Sequence, residues 1–444
     1  MTLERSLATW LPAQRWFPGT GTAGDLAIVA DTLLAPGDPE LRHLIVTASG
    51  GGGPATYQVL AGIRAVVPAR LSHAVIGPDS RGRTAYDALH DPELTGVLLR
   101  GIGGERVAGP LRFVREPAAP IDESAASRVL SAEQSNTSLI FGESAILKVF
   151  RRVFAGQNPD LEVAHALAGL GSAHIARPLG WIESRRDGEQ PALLALLSEY
   201  LRGACDGWSL AGTSVRDLYA EGGRAGEAGG DFAGEAHRLG AATASVHADL
   251  ARAFGTGLLE PAAVAVLAAQ LQRALEAAIA EVPELAAHSS RVTAGYADLA
   301  GLGAALLVQR VHGDYHLGQV LRTQAGWVAL DFEGEPAASL ASRRSRSPAL
   351  RDIAGMLRSF DYAARHQLIG RPGGERLTTV AGEWVARNQA AFCAGYAEAG
   401  GTDPRAHPVV LRALMLEKAV YEVTYEARHR PSWVSIPLDA IAGM

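Results

Sequence analysis

The segment VHGDYHLGQV, residues 311–320, holds the densest set of side chains that could do chemistry. An apolar run, LLVQRV, ends in His312, Gly313 and Asp314, and Gln319 follows five residues after the aspartate. Further on, WVALDFEGE carries a second apolar run into Asp331. Two acids and one amide therefore leave the ends of strands joined by a tight turn. Moving a phosphoryl group from a metal-bound triphosphate to a hydroxyl asks for such a set. One carboxylate orients the hydroxyl and takes its proton, while an amide oxygen and a second carboxylate hold Mg2+ against the phosphates. Taken singly, Asp314 and Asp331 read as turn-capping acids and His312 as a core histidine. The length of the joint pattern favours the chemical reading.

A second constellation fits the same chemistry. AILKVF puts Lys148 inside an apolar strand, after the polar turn AEQSNTSLIFG. A kinase-type nucleotide site needs an ammonium on the α- and β-phosphates of ATP and a covering loop with amide and hydroxyl donors, here Ser135, Asn136 and Thr137. A lysine in a buried strand needs a counter-charge. Glu162, fourteen residues on in the helix-patterned NPDLEVAHALAGLG, is the acid expected to aim it. Lysine is otherwise almost absent: of 41 basic residues only Lys148 and Lys418 are lysines. Arginine serves surface charge equally well, so a retained lysine marks a place that needs a compact ammonium. LLSEYLRG, where the strand-rich half ends, is the expected hinge, with the backbone of Glu199 and Tyr200 against the adenine edge.

In EKAVYEVTYEARHR, Lys418, Tyr421, Tyr425 and Arg428 stand at i, i+3, i+7 and i+10, along one face of a helix. An ammonium, two phenols and a guanidinium make a poor core stripe and a good surface for a polyhydroxylated ligand. The plainer alternative is an exposed amphipathic helix with tyrosines at its edge.

These residues need a scaffold. Residues 1–90 read as a mostly β cap, in which LRHLIVTA and TYQVLAGI alternate as half-buried antiparallel strands and Gly50 to Gly53 form a hairpin loop. Residues 91–203 begin with a connecting stretch of one or two strands. Three strands, a helix capped by Asn158 and two more strands follow. Residues 204–444 read as helical, with periodic stretches at 231–254, 261–282, 291–303, 350–366, 375–399 and 408–429 around the strand–loop–strand unit of Asp314 and Asp331. The expected class is α+β: a bilobal, protein-kinase-like fold with an N-terminal cap. His237 and His247, ten apart on one helix, read as packing residues, and the basic run 342–352 as a solvated loop. Asp352 reads as a helix cap or as a brace beneath the catalytic loop.

Composition narrows the partners. Lys plus Arg at 41 against Asp plus Glu at 47 gives −6, with a pI near 6.1, which argues against nucleic acid. No uninterrupted apolar run of about 18 residues is present, and MTLERSLATWLPAQRW lacks the pattern of a secretory signal, so a cytoplasmic protein is expected. Cys205 and Cys393 make neither a disulfide framework nor a zinc site.

The chain resembles the actinobacterial maltokinases, within the aminoglycoside phosphotransferase-like branch of the protein-kinase superfamily. The carrying segments are EQSNTS with LKVFRR, GWIES, GGDFAGEAHRLG, RVHGDYHLGQVLRT, DFEGEP, RDIAGMLRSFDYAA and EKAVYEVTYEARHRPSW, from about residue 132 to the C-terminus. Near the start, QRWFPGTG resembles the family's QRWFAGKG-like signature, with Pro18 and Thr20 as departures. The resemblance implies a cystatin-like cap, an intermediate subdomain and a helical C-terminal lobe. It implies ATP- and Mg2+-dependent phosphorylation of maltose at its anomeric hydroxyl, giving maltose 1-phosphate for α-glucan (glycogen) synthesis. Asp314 is then the base, Gln319 and Asp331 hold Mg2+, and Lys148 binds the ATP phosphates. Lys418, Tyr421, Tyr425 and Arg428 meet the sugar, with Asp314 and His316 on the opposite wall. It also implies trehalose synthase as a partner; on its own the chain is expected to be a monomer.

Two rivals stand beside this reading. A glucosamine or aminoglycoside kinase would share the ATP machinery, but an amine-bearing acceptor favours carboxylates, whereas Lys418 and Arg428 repel a cation; Glu422 and Glu426 nearby temper that contrast. A non-catalytic kinase-like scaffold would be expected to lack Asp314, Asp331 or Lys148, and all three are present.

Overall fold

Alternation along the early strands decides how the cap is built. In the computed structural model Leu44 and Val46 face one apolar cluster, with Leu7 and Trp10 of the helix Leu3–Trp10, while Leu41 and Ile45 face another. The structure describes residues 2–17, 24–50, 53–130, 135–186, 188–221, 224–226, 230–335, 338–370 and 374–444; Pro18, Thr20, Gly51 and Gly52 lie outside them. The chain divides into two compact units, residues 1–165 with 176–202, and residues 166–175 with 203–444.

The first unit carries two antiparallel sheets. Its five-stranded sheet runs Gly24–Ala35, Glu40–Gly50, Gly53–Arg64, Thr84–Asp87, Val75–Pro78 in spatial order. Gly50 pairs with Gly53 at the expected hairpin. The seven-stranded sheet runs Val107–Ala108, Leu111–Arg115, Pro178–Ser184, Ala192–Glu199, Ala145–Phe150, Asn136–Phe141, Ser127–Leu130. The strands Glu40–Gly50 and Gly53–Arg64 are not half-buried as expected, because both of their faces are covered. The polar positions His43 and Gln58 are 3% and 2% exposed, and Gln58 donates its amide hydrogens to the carbonyls of Phe150 and Leu194 in the second sheet, each at 2.6 Å. The connecting stretch holds a helix, Pro92–Gly103, that the glycines of VLLRGIGG obscured; Asp91 caps it by accepting the Glu93 N–H.

The second unit is mostly helical. The helices Ala233–Phe254, Leu350–Arg365, Gly374–Glu398 and Pro408–His429 follow the periodic stretches read from the sequence. Pro261–Glu281 is long and apolar enough to cross a bilayer, yet Val264, Ala268, Leu271, Leu275 and Ala278 form a buried stripe at helical spacing, as in a core-facing helix. Two small sheets punctuate the helices: Cys205–Asp206 with Val320–Arg322 and Trp327–Ala329, and Thr256–Leu259 with Leu306–Gln309.

Candidate active site

A hairpin sets Gln319 beside Asp331. Val320 pairs with Ala329 and Arg322 with Trp327, across a turn closed between Thr323 and Gly326. The next rung outward is Leu330 N–H donating to the Gln319 carbonyl at 2.9 Å, so Gln319 and Asp331 sit together at the open end. Gln319 Nε2 lies 3.5 Å from Asp331 Oδ2. Asp331 adopts φ +61°, a region non-glycine residues enter only when the surroundings hold them there, often at functional sites. A Glu333 carboxylate oxygen lies within 4.8 Å of one from Asp331, an acid the sequence reading passed over. Amide and carboxylate oxygens are the hard donors Mg2+ takes, so these residues fit that ion.

Asp314 follows the strand Leu306–Gln309 and is held by the loop before it. Gly313 has φ +87°, and a Cβ there would stand 3.2 Å from Gly334 Cα, so the two acid-bearing loops touch where a side chain is not tolerated. His312 is 2% exposed and donates Nε2–H to the Leu330 carbonyl at 2.7 Å, joining the two loops. Asp352 is the brace: its Oδ2 accepts the His312 N–H at 2.8 Å and its Oδ1 the Gly313 N–H at 2.9 Å. Burial alone would push the Asp352 carboxyl up, but the His247 ring and these bonds hold it below the ordinary carboxylate range. Gly355, one turn along the same helix, lets the loop approach; a Cβ there would meet the Tyr315 carbonyl at 2.6 Å.

Asp314 opens onto a cavity of about 130 Å3 whose wall includes Glu335, Arg351, Glu417, Lys418 and Tyr421. Lys418 Nζ lies 3.1 Å from Asp314 Oδ1 and 3.4 Å from Glu335 Oε2, and Tyr421 donates its hydroxyl to Glu335 Oε1 at 2.7 Å. Burial opposes the ammonium, but Asp314, Glu335 and Glu422 outweigh it and hold the lysine pKa above its usual value. Glu335, four residues past Asp331, was not singled out from the sequence. Its signal was there, since it ends the same DFEGE run.

The predicted sugar face is only partly assembled at this cavity. Tyr425 is set beside Tyr421, ring centroids 6.2 Å apart, and stacks on His429 at 4.4 Å. Arg428 is not brought to the cavity. It forms a two-pronged ion pair with Glu281, both contacts 2.5 Å, because ten residues of helix carry it about 15 Å from Lys418. The acids flanking the face are taken: Glu422 by Arg358 at 2.7 Å, Glu426 by Arg430 at 2.7 Å. His316 Nε2 is 3.9 Å from Asp314 Oδ2, and its Nδ1 accepts the Gly318 N–H at 3.0 Å. Burial pushes its pKa below the ordinary value, which suits a neutral ring that accepts. The basic run 342–352 is not wholly solvated: Arg343 is 5% exposed, and its Nε donates to the Ala338 carbonyl.

In the first unit Lys148 sits mid-strand, paired with Ser138 and Leu196 on either side. Leu147 and Val149 point into the core, so the ammonium projects from the other face. Its Nζ lies 3.2 Å from Asp160 Oδ2, an acid the sequence reading passed over, on the helix Pro159–Gly169 that Asn158 caps as expected. Glu162, on that helix, lines a cavity with Trp181 and Glu183. Ser135 is exposed at the foot of the strand Asn136–Phe141. Thr137 is corrected: it is 9% exposed, and its hydroxyl accepts Arg151 Nε–H at 2.8 Å because strand alternation turns it inward. The hinge is corrected in part as well. The Glu199 N–H donates to Arg177 and the Tyr200 N–H to Ser144, each at 2.9 Å, so neither amide hydrogen is available to an adenine edge.

A family profile described as the maltokinase N-terminal cap domain matches residues 10–91. A glucosamine kinase of Streptacidiphilus jiangxiensis is 34% identical over 322 residues, 70% of this chain and 71% of that one. The chain belongs to the same sugar-kinase family as this glucosamine kinase. A second glucosamine kinase, from Mycolicibacterium smegmatis, is 29% identical over 71% of this chain and 79% of its own. A solved glucosamine kinase in complex with glucosamine, ADP and inorganic phosphate superposes with a TM-score of 0.69 at 26% identity, covering 99% of this chain and 98% of that one. The enzyme is an ATP-dependent sugar kinase of mixed α and β structure.

Proposed function

We propose that the kinase transfers the γ-phosphoryl group of ATP to the anomeric hydroxyl of maltose, giving maltose 1-phosphate. The observation that carries this reading is the Lys418 ammonium placed beside Asp314, where an amine-bearing acceptor would meet it. Lys418 is shared by Asp314 and Glu335, and Arg351 meets Glu417 at 2.8 Å. Glu422 and Glu426, the acids that tempered the contrast with an amine acceptor, face Arg358 and Arg430. Each of these carboxylates already has a cation or hydroxyl donor, the single Lys418 charge serving two of them, so an ammonium sugar would have to settle beside Lys418. A neutral sugar brings hydroxyls instead, and the Tyr421–Tyr425 pair extends the surface for a second ring.

On this reading Asp314 orients the acceptor hydroxyl and takes its proton, and transfer is direct, without a phospho-enzyme. Lys148, aimed by Asp160 and Glu162, steadies the nucleotide phosphates, with Ser135 and Asn136 in the covering loop and the carbonyls near Glu199 and Tyr200 at the base. Gln319 and Asp331 would hold Mg2+, which when bound neutralises charge on the phosphates. Trehalose synthase is the partner the resemblance suggests.

A second reading, glucosamine as acceptor, is favoured by the names of the relatives above. An acceptor screen with ATP and Mg2+ separates the two, using maltose, glucose, glucosamine and kanamycin, with the phosphate position read by NMR. Phosphate on the anomeric carbon of maltose is the expected result. Turnover of glucosamine with maltose untouched would replace the first reading by the second.

A further inference from the structure

We propose that Thr243 and His247, one turn apart on the helix Ala233–Phe254, form a positioning clamp that holds Asp314 from both sides. The proposal rests on the reading of Asp314 as the base. His247, expected from the sequence to be a packing residue, is 4% exposed and uses both ring nitrogens. Its Nε2 is 2.9 Å from Asp352 Oδ2 and its Nδ1 is 2.9 Å from the Tyr396 hydroxyl. With Asp352 ionised, Nε2 carries the hydrogen and donates to the carboxylate, while Nδ1 meets the phenol. The same Asp352 carboxylate takes the N–H groups of His312 and Gly313, the two residues before Asp314. His247 also accepts Gln309 Nε2–H on its backbone carbonyl at 2.8 Å, tying down the strand that feeds the loop. On the other side, Thr243 Oγ1 is 2.9 Å from the hydroxyl of Tyr315, the residue after Asp314.

Residues four apart on a helix share a face, so a single rigid surface fixes the chain immediately before and after the base. Asp352 alone does not account for this. A buried carboxylate with one of its donors removed must seek another, and its rotamer, which sets both loop amides, is then free to change. Small errors in placing a catalytic group are expensive in rate, about a hundredfold for an ångström. The clamp therefore acts on turnover and leaves ground-state binding alone.

Four variants test it in the full-length enzyme with ATP, Mg2+ and maltose, or glucosamine should that prove the better acceptor. Rates are expressed per nucleotide-binding site, so that a loss of folded protein does not count. Asn at 247 cannot reach Asp352, whereas Gln places an amide N–H near the position of Nε2. H247N is expected to lower kcat about 10- to 100-fold with both KM values within about twofold, and H247Q to recover most of that loss. T243V, which keeps the shape and removes the hydroxyl, is expected to lower kcat about 3- to 10-fold. Wild-type kcat in folded H247N, or H247Q as slow as H247N, would overturn the clamp. Should H247N not fold, unchanged kcat in T243V overturns it. D314N serves as the separate control: turnover retained there removes the base, while normal H247N and T243V beside an inactive D314N remove the clamp only.

Discussion

Asp314 is held in an unusual balance. One of its oxygens faces the Lys418 ammonium at 3.1 Å, while the backbone before it hangs from Asp352. A general base in phosphoryl transfer need only orient the hydroxyl and collect its proton late, so a neighbouring ammonium does no harm. D314N is expected to lower kcat by about 10²–10⁴ while the KM for ATP stays near the wild-type value. Steady-state kinetics with varied ATP would show it, and a loss under tenfold would exclude Asp314 as the base. At this scale the motif residues were legible because chemistry demanded their types at fixed offsets. Asp160, Glu335 and Asp352 were harder. Each is an ordinary acid until the fold puts an ammonium or a pair of amides against it. Thr137 misled for the converse reason, since only tertiary structure places Arg151 under its hydroxyl.

Elements carry a different part of the design. The helices Leu350–Arg365 and Pro408–His429 meet through charges that are almost fully buried: Arg358, 2% exposed, bonds both Glu422 and Asp361 at 2.7 Å. Glu422 is one turn beyond Lys418, so this contact fixes the register of the helix that presents the ammonium and Tyr421 to the cavity. R358M keeps apolar volume but strands the buried Glu422 carboxylate, while Asp361 keeps Arg365, and breaking such a buried pair costs about 3–5 kcal/mol. Urea unfolding should show that loss, and the acceptor KM should rise along with it. A change below about 1 kcal/mol would mean the acid finds another partner. The 3.6-residue period made these helices readable from sequence, whereas their polar cement was not, because Arg358 and Glu422 lie 64 residues apart. The helix Pro92–Gly103 was hidden for a local reason. Its glycines read as breakers, although Asp91 and Pro92 form a sound start signal.

For the molecule as a whole, the first unit contains a polar seam that the sequence disguised as solvent-facing alternation. His43 Nε2 meets Gln58 Oε1 at 3.0 Å, and the Gln58 amide spans to the sheet that holds Lys148. Burial pushes the His43 pKa down to about 4, against the raising effect of the Gln58 bond. An unfolded histidine titrates near 6.5, so in the interval between these values the unfolded chain binds more protons than the folded one. Stability is therefore complete above about pH 6.5 and declines as pH falls toward 4, by about 3 kcal/mol when the interval has been crossed. Hydrogen exchange at the amides of Val59 and Leu60, in the strand that carries Gln58, reads the opening of this sheet directly. In the wild-type protein their protection should fall steeply over that window, and in H43Q, which has nothing to protonate, the extra slope should vanish. Equal slopes in the two proteins would show that acid opens the cap through its carboxylates, and that the buried histidine is not the group that senses pH.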